Sequence, residues 1–577
     1  MNDASDPLDK KASISIGTLV SRTHIAYFTM EIALRPEIHS YSGGLGILAG
    51  DTARSSADLA LPIVFVSLVS RAGYFHQVID AAGSQSEMPD WWEIDRWCTP
   101  LNAMVAVEIE GRSVWIRPWL YLSAGAGGHQ VPILLLDTDL EQNSADDRTL
   151  THYLYGGDDA YRLKQEIILG VGGVRILHAL GFDIRTYHLN EGHAALLTLE
   201  LLNRWRVAPE DLAPGEDLYD IPEVRSRCVF TTHTPVEAGH DRFSYDLFER
   251  TLAGFVDLTV LKKLAGTDTL NMTRLALNLS DYVNGVAHRH ARTTREMFPG
   301  YHIHAITNGV HLGTWAHPKF AALYDTQFPH WRHEPEVLIR ALQLPGDAVA
   351  ECHRAAKGDL IELVQTAVGV ALSPDVLTIG FARRMTGYKR PLLLFADLER
   401  LLAIADRHPL QLVIAGKAHA RDSEGKDAIR RIHEIARELP DKLRCVFLPD
   451  YGMRIASRLV AGVDLWLNTP LPPLEASGTS GMKAALNGVL NCSVLDGWWI
   501  EACVEGVTGW SIGDGSPAIE TQTAADLYRK LEAIILPLYY AEPNGWRGMM
   551  KQAIGNIASY FNTHRMMRRY ATEAYLR

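Results

Sequence analysis

Two segments of the chain carry residue types that could do chemistry. The first, Phe381-Ala382-Arg383-Arg384-Met385-Thr386-Gly387-Tyr388-Lys389-Arg390-Pro391, puts four cations directly after an apolar run and at the start of a helical pattern. Guanidinium forks hold phosphate oxygens in pairs and a lysine adds a point charge, so the cluster suits an anion with several charges. The alternative is a solvated basic loop. The second segment, Leu471-Pro472-Pro473-Leu474-Glu475-Ala476-Ser477-Gly478-Thr479-Ser480-Gly481-Met482-Lys483, is rich in small residues that let a ligand approach the backbone, and Ser477 or Thr479 can cap a helix. With a helix starting near Gly478, Lys483 falls in its second turn, either as solvated surface or as an amine able to condense with an aldehyde cofactor. Spacing does not decide between these.

Other polar residues follow buried-strand patterns. His233 follows Cys228–Thr232 and, by residue type alone, reads as a satisfied core histidine. Asn190-Glu191-Gly192-His193 and Glu31 also stand at strand ends, where polar residues serve structure as often as function. Tyr451, in Pro449-Asp450-Tyr451-Gly452, reads as a turn aromatic. His288-Arg289-His290 and His302-Ile303-His304 place imidazoles two apart, as on one face of a strand, but no carboxylate or cysteine completes a metal site, and none is expected. Gly156-Gly157-Asp158-Asp159 superficially resembles a nucleotide-cyclase signature and is expected to be a structural loop.

The elements that must position these residues alternate. The apolar segment His24–Phe28, the turn Ser42-Gly43-Gly44-Leu45-Gly46, a helix through Leu59 and the strand Ile63–Leu68 have βαβ grammar; Val131–Leu136, Thr186–Leu189 and Cys228–Thr232 add buried strands, and Tyr161–Leu180 a helix. A second series alternates strands Leu377–Phe381, Leu410–Ala415, Arg444–Leu448, Leu465–Asn468 and Asn491–Leu495 with helices Pro391–Ala405, Lys426–Glu438, Arg454–Ala461 and Gly478–Asn487, which predicts a parallel sheet. In such sheets ligands collect at the carboxyl ends of the strands. The predicted division is a polar tail over 1–22, a first unit over 23–307, a second over 308–556, and a terminal helix over 557–577 packing back on the first.

At 577 residues the chain is long enough for more than one core. With 56 Lys plus Arg against 68 Asp plus Glu, the net charge of -12 gives no global pull toward nucleic acid or membranes, so any anion site must be locally basic. The six cysteines are scattered without a CxxC pair, which fits a reducing cytoplasm; the polar opening MNDASDPLDKKASIS and the lack of any run of 18 apolar residues lead us to expect neither export nor membrane insertion.

The segment EASGTSGMKAALNG, Glu475 to Gly488, resembles the EASGTxxMK stretch of the glycogen, starch and maltodextrin phosphorylase family, whose lysine binds pyridoxal 5'-phosphate. Family-like segments recur in order: AYFTMEIAL from Ala26, SGGLGILAGD from Ser42, RLKQE from Arg162, THT from Thr232, VNGVA from Val283, TNGV from Thr307, YKR from Tyr388 and GKA from Gly416. The resemblance implies an α/β chain of GT-B fold, two Rossmann-like domains facing across a deep catalytic cleft. It implies retaining phosphorolysis of an α-1,4-glucan by inorganic phosphate to α-D-glucose 1-phosphate, with pyridoxal phosphate on Lys483. By position, Arg383, Lys389, Thr479 and the Ser480 backbone would hold the cofactor phosphate, with Tyr451 nearby. Arg384 and the Gly43-Gly44 turn would hold the substrate phosphate. His233, Asn308, Glu475, Ala476, Ser477 and Gly478 would line the glucosyl site.

The larger members carry Gly-Asn where this chain has Ser480-Gly481, and an N-terminal regulatory arm for which the tail here leaves no room; the gating segment is also shorter before Arg162. Trp498-Trp499 resembles the short bacterial-type branch. A homodimer is the family's usual assembly. Two rival readings share the glucan and phosphate contacts: a nucleotide-sugar transferase of GT-B fold, which has no need of Lys483, and a catalytically silent glucan-binding protein.

Overall fold

The computed structural model describes residues 16–212, 218–517 and 519–576. Of the expected polar tail, residues 1–15 lie outside the described residues, while Ile16–Arg22 is a helix that buries Leu19.

The first sheet runs, edge to edge, through His304–Ala305, Tyr282–Gly285, Cys228–Thr231, Thr186–Asn190, Ile25–Thr29, Ile63–Leu68, Gln130–Asp137, Arg112–Ala124 and Thr99–Pro100. From His304–Ala305 to Gln130–Asp137 the pairing is parallel, with Ile25 opposite both Ile63 and Thr186; Arg112–Ala124 then adds antiparallel. Its central strands are continuous apolar runs because both faces are covered. One face carries the core of the glycine-rich π-helical turn Ile168–Gly172, which interrupts the helix expected over Tyr161–Leu180. On the other face lies the Gly44–Asp58 helix, together with Met566, Met567, Tyr570 and Tyr575 from the C-terminal helical segment. Tyr570 Oη is within 3.1 Å of Thr231 Oγ1 and accepts from Asn284 Nδ2, so the end of the chain is tied to the first sheet by polar as well as apolar contacts.

The second sheet is parallel throughout, in the order Leu443–Leu448, Leu410–Ala415, Leu377–Ala382, Leu465–Asn468, Leu490–Val494, Gly509–Ile512. Helices Ser423–Glu438 and Met453–Gly462 fall where the apolar periodicity puts them. Two helix starts differ from expectation. The helix expected from Pro391 begins at Leu398, because Arg390 is left-handed (φ 47°) and the chain first turns through Gly387–Lys389; Asp397 then caps it by accepting from Arg400 N. The helix expected from Gly478 is Ser480–Leu486, because Gly478 has φ 87° and cannot be helical there. Between the last strand of the first sheet and the first strand of the second, the chain forms the 23-residue helix Gly346–Val368. His288–Met297 is helical, so His288 and His290 do not share a strand face as their spacing suggested. Among the described residues no helix is long and apolar enough to cross a membrane.

Candidate active site

Both sheets present their carboxyl ends to the same cleft. Glu31 follows Ile25–Thr29, Asn190 ends Thr186–Asn190, His233 follows Cys228–Thr231, and Arg383 follows Leu377–Ala382. Polar contacts fasten one half to the other. Gln77 Nε2 donates to Gly416 O (2.9 Å), Gln85 Nε2 to Ala418 O (2.9 Å), Lys417 Nζ to Phe75 O (2.8 Å), and Met453 N to Tyr41 Oη (2.9 Å).

The basic loop folds inward rather than into solvent. Lys389 is buried, and its Nζ lies 2.8 and 2.6 Å from the two oxygens of Glu475; Arg383 Nη2 lies 2.5 Å from the same carboxylate. Burial works to raise the pKa of Glu475, but Arg383 and Lys389 outweigh it and hold it at about 2. The segment carrying Glu475 is itself fixed by Asp496, which accepts from Glu475 N and Gly497 N, both at 2.9 Å. Arg383 keeps Nε and Nη1 buried without a partner, although buried guanidinium donors are costly to leave unmade. Two cations thus share one carboxylate, and the Arg383 donors left over can take a further anion.

Lys483 sits in the first turn of Ser480–Leu486 and is 7% exposed. Its Nζ lies 3.9 Å from the ring centroid of Trp315. Burial lowers its pKa to about 8, with Asp51 opposing and Arg54 assisting. Thr479 takes the N-cap position, yet its side chain makes no capping hydrogen bond and stays available; Ser480 Oγ accepts from Trp466 Nε1. Tyr451 is half-buried, and burial raises its hydroxyl while the charge of Arg383 pulls it down.

Across the cleft, Glu31 organises the glycine-rich turn. Its carboxylate accepts from Ser42 N (2.5 Å), Gly43 N (3.1 Å) and Tyr155 Oη (2.9 Å). The Gly43 amide is thus engaged, while Gly44 begins the helix, where an amide has no intrahelical acceptor. A Cβ on Gly44 would meet nothing within 4 Å, and one on Gly43 would come 3.7 Å from Arg384 Nη2. Arg384, exposed to solvent, therefore faces the helix N-terminus across an open space, an arrangement suited to an anion.

His233 N donates to Glu191 Oε2 (2.7 Å), and its Nε2 lies 2.7 Å from Asn190 Oδ1. Asn190 spends its amide nitrogen on Thr29 Oγ1, so Nε2 of His233 carries the proton and Nδ1 is an acceptor. Burial lowers the His233 pKa to about 4 against the opposing charge of Glu191, which keeps the ring neutral. Glu191 itself is left-handed, with φ 72°, a strained conformation at a strand end. Asn308 Oδ1, Ser477 Oγ and Thr232 Oγ1 are buried without partners, acceptors and donors of the kind that sugar hydroxyls satisfy. Ala476 lies half-buried next to Ser477. Among the described residues no group of three or more His, Cys, Asp or Glu is arranged to hold a metal.

Trp315, Asp51 and Asp496 were not singled out by sequence reasoning. Asp51 closes the motif SGGLGILAGD and is 1% exposed, and a buried acid in a glycine-rich helix is the signal that could have found it.

The Carbohydrate phosphorylase family model matches residues 249–509. The chain is 39% identical to the maltodextrin phosphorylase of Thermococcus litoralis, over 96% of this chain and 70% of that protein. The chain belongs to the carbohydrate phosphorylase family. It is also similar to the glycogen phosphorylases of Mycobacterium tuberculosis (35% identity, 96% of this chain, 71% of that protein) and Aquifex aeolicus (34%, 96%, 86%). Its mixed α/β structure, with one largely parallel and one wholly parallel sheet, is consistent with the GT-B fold of the family.

Proposed function

We propose that this protein is an α-glucan phosphorylase: an α-1,4-glucan and inorganic phosphate give the glucan shortened by one residue and α-D-glucose 1-phosphate, with retention. The observation that carries this reading is the buried Lys483 amine against the Trp315 ring, together with Arg383 and Lys389 sharing the single carboxylate of Glu475 while two Arg383 donors stay unpaired. A nucleotide-sugar transferase has no use for that amine.

The residues fit pyridoxal 5'-phosphate. Arg383 has two buried donors to spend, the Thr479 hydroxyl is uncommitted to its cap, and Lys483 is enclosed beside an aromatic ring. Lys483 would anchor the cofactor, and Arg383, Lys389, Thr479 and the Ser480 amide would bind its phosphate, with Tyr451 nearby. When bound, the cofactor supplies a phosphate that exchanges a proton with the substrate phosphate. Arg384 and the Gly43-Gly44 turn hold the substrate phosphate and offset the repulsion between two neighbouring dianions. His233 Nδ1 accepts a sugar hydroxyl, and Asn308 Oδ1 and Ser477 Oγ orient others. Ala476 and Gly478 supply a close-fitting wall. Glu475 keeps Arg383 and Lys389 pointed into the pocket and gives the glucosyl unit an acceptor.

The same proposal includes a division into units 23–307 and 308–556, with 557–577 returning to the first, supported by the two sheets lying in separate stretches of chain. It also includes a homodimer in a reducing cytoplasm, the latter supported by six cysteines that form no disulfide. Incubation with maltodextrin and phosphate tests the reaction. Release of glucose 1-phosphate that depends on phosphate is expected, and release from a nucleotide sugar instead would replace this reading with the transferase.

A further inference from the structure

Asp51 stands two turns into the Gly44–Asp58 helix, buried, in a place where an unpaired carboxylate is costly. Arg54 Nη1, at 3.3 Å from Oδ1, accounts for one of its oxygens. The other accepts from Trp315 Nε1 at 2.7 Å and from His311 N at 3.1 Å. The face of that same indole lies 3.9 Å beneath Lys483 Nζ. Three segments remote in sequence thus form one stack: carboxylate, indole, amine. A hydrogen bond from the indole N–H to an anion fixes the ring plane and enriches its face in negative charge, which strengthens its hold on a cation above it.

We propose that Asp51 is a positioning residue for Lys483, orienting the amine and governing its protonation through the Trp315 indole. The inference rests on Lys483 being the residue that takes the aldehyde cofactor. Condensation needs the free amine: the nitrogen lone pair attacks the carbonyl carbon, a C=N bond forms, and the carbonyl oxygen leaves as water with both amine protons. Burial favours the free amine, and Asp51 restrains that drift. Other charges near Lys483 are already committed. Its own helix holds no further ionisable group; Arg54 pairs with Asp51, and His311 pairs with Asp58. On the helices packed against it, Arg458 pairs with Asp359, Arg547 pairs with Asp347, Lys551 donates to the Leu342 and Leu344 carbonyls, and Arg454 is exposed.

The test uses the full-length protein, cleared of cofactor with hydroxylamine, dialysed, and offered pyridoxal 5'-phosphate across a pH series. Borohydride traps the adduct, and peptide mass spectrometry reads the fraction on Lys483. Asp51→Asn keeps an oxygen for Trp315 Nε1 but removes the charge. The midpoint of the rate against pH is expected to fall by about half a unit or more, so that below the midpoint Lys483 reacts roughly threefold faster. Trp315→Phe keeps an aromatic face and severs the link, and is expected to move the midpoint in the same direction; it decides the matter if Asp51→Asn does not fold. Unchanged midpoints overturn the inference, because a purely structural Asp51 alters yield without moving them. Absence of any adduct at Lys483 in the unsubstituted protein removes both the cofactor reading and the inference, whereas an adduct with unchanged midpoints removes the inference alone.

Discussion

Replacing Glu475 with glutamine tests the electrostatic balance of the cation pocket. The carboxylate bridges Arg383 and Lys389, and they hold its pKa at about 2 against an ordinary 4.5. At ~1.4 kcal/mol per unit this difference corresponds to about 3 kcal/mol of folding stability at neutral pH. The folded pKa lies below the unfolded one, so the contribution is complete above pH 4.5 and disappears as the pH falls through about 2. Glu475→Gln leaves two cations facing a neutral group in a buried pocket, where loss of one partner is costly. In chloride at neutral pH, the urea unfolding midpoint is expected to fall by an amount equivalent to about 3 kcal/mol. Inorganic phosphate should recover part of that loss in the variant, because a dianion replaces the missing charge, and should stabilise the unsubstituted protein less. An unchanged midpoint in chloride, or equal phosphate stabilisation of both proteins, would refute the reasoning.

Three further outcomes follow from individual residues. Gly44→Ala adds a methyl that meets nothing within 4 Å, so thermal stability should hold while the KM for phosphate rises roughly tenfold, a cost of about 1.4 kcal/mol, if the Gly44 amide faces the substrate anion. Gly50→Ala drives a methyl to 1.9 Å from Ala33 O, a backbone atom; the expected result is a loss of about 3 kcal/mol or failure to fold, read by thermal unfolding. His233 has a folded pKa of about 4 against an ordinary 6.5, so it contributes about 3 kcal/mol that is present above pH 6.5 and lost as the pH falls through about 4. His233→Gln should flatten the urea midpoint across that window by about that amount, leaving the parallel contributions of His188 and His290 in place.

The parallel strands were legible because burial on both faces leaves an unbroken apolar run. Leu410–Ala415 and Leu465–Asn468 match their expected limits, and Leu377–Ala382 extends one residue further. Arg112–Ala124 was not legible, since an edge-side antiparallel strand mixes Arg, Ser and Pro with its apolar residues, and Gly509–Ile512 is too short to carry a pattern. The helix start at Gly478 was misplaced because composition carries no sign of φ, and Gly478 takes a left-handed value. For the site, residue types identified the basic loop but not its direction. Whether Lys389 meets solvent or Glu475 depends on how a strand end and a distant turn face one another. The contact of Asp51 with Trp315, and of Trp315 with Lys483, joins stretches no local rule connects. His233 and Tyr451 were assigned by resemblance alone, and the tautomer of His233 became readable only from the orientation of Asn190.

The central claim is that Lys483 anchors the group on which phosphorolysis depends. The most direct test compares the unsubstituted protein with Lys483→Ala, each supplied with pyridoxal 5'-phosphate, maltodextrin and inorganic phosphate, and measures glucose 1-phosphate. The account predicts steady release from the unsubstituted protein and none from Lys483→Ala at equal folded concentration. Full release from Lys483→Ala would contradict it.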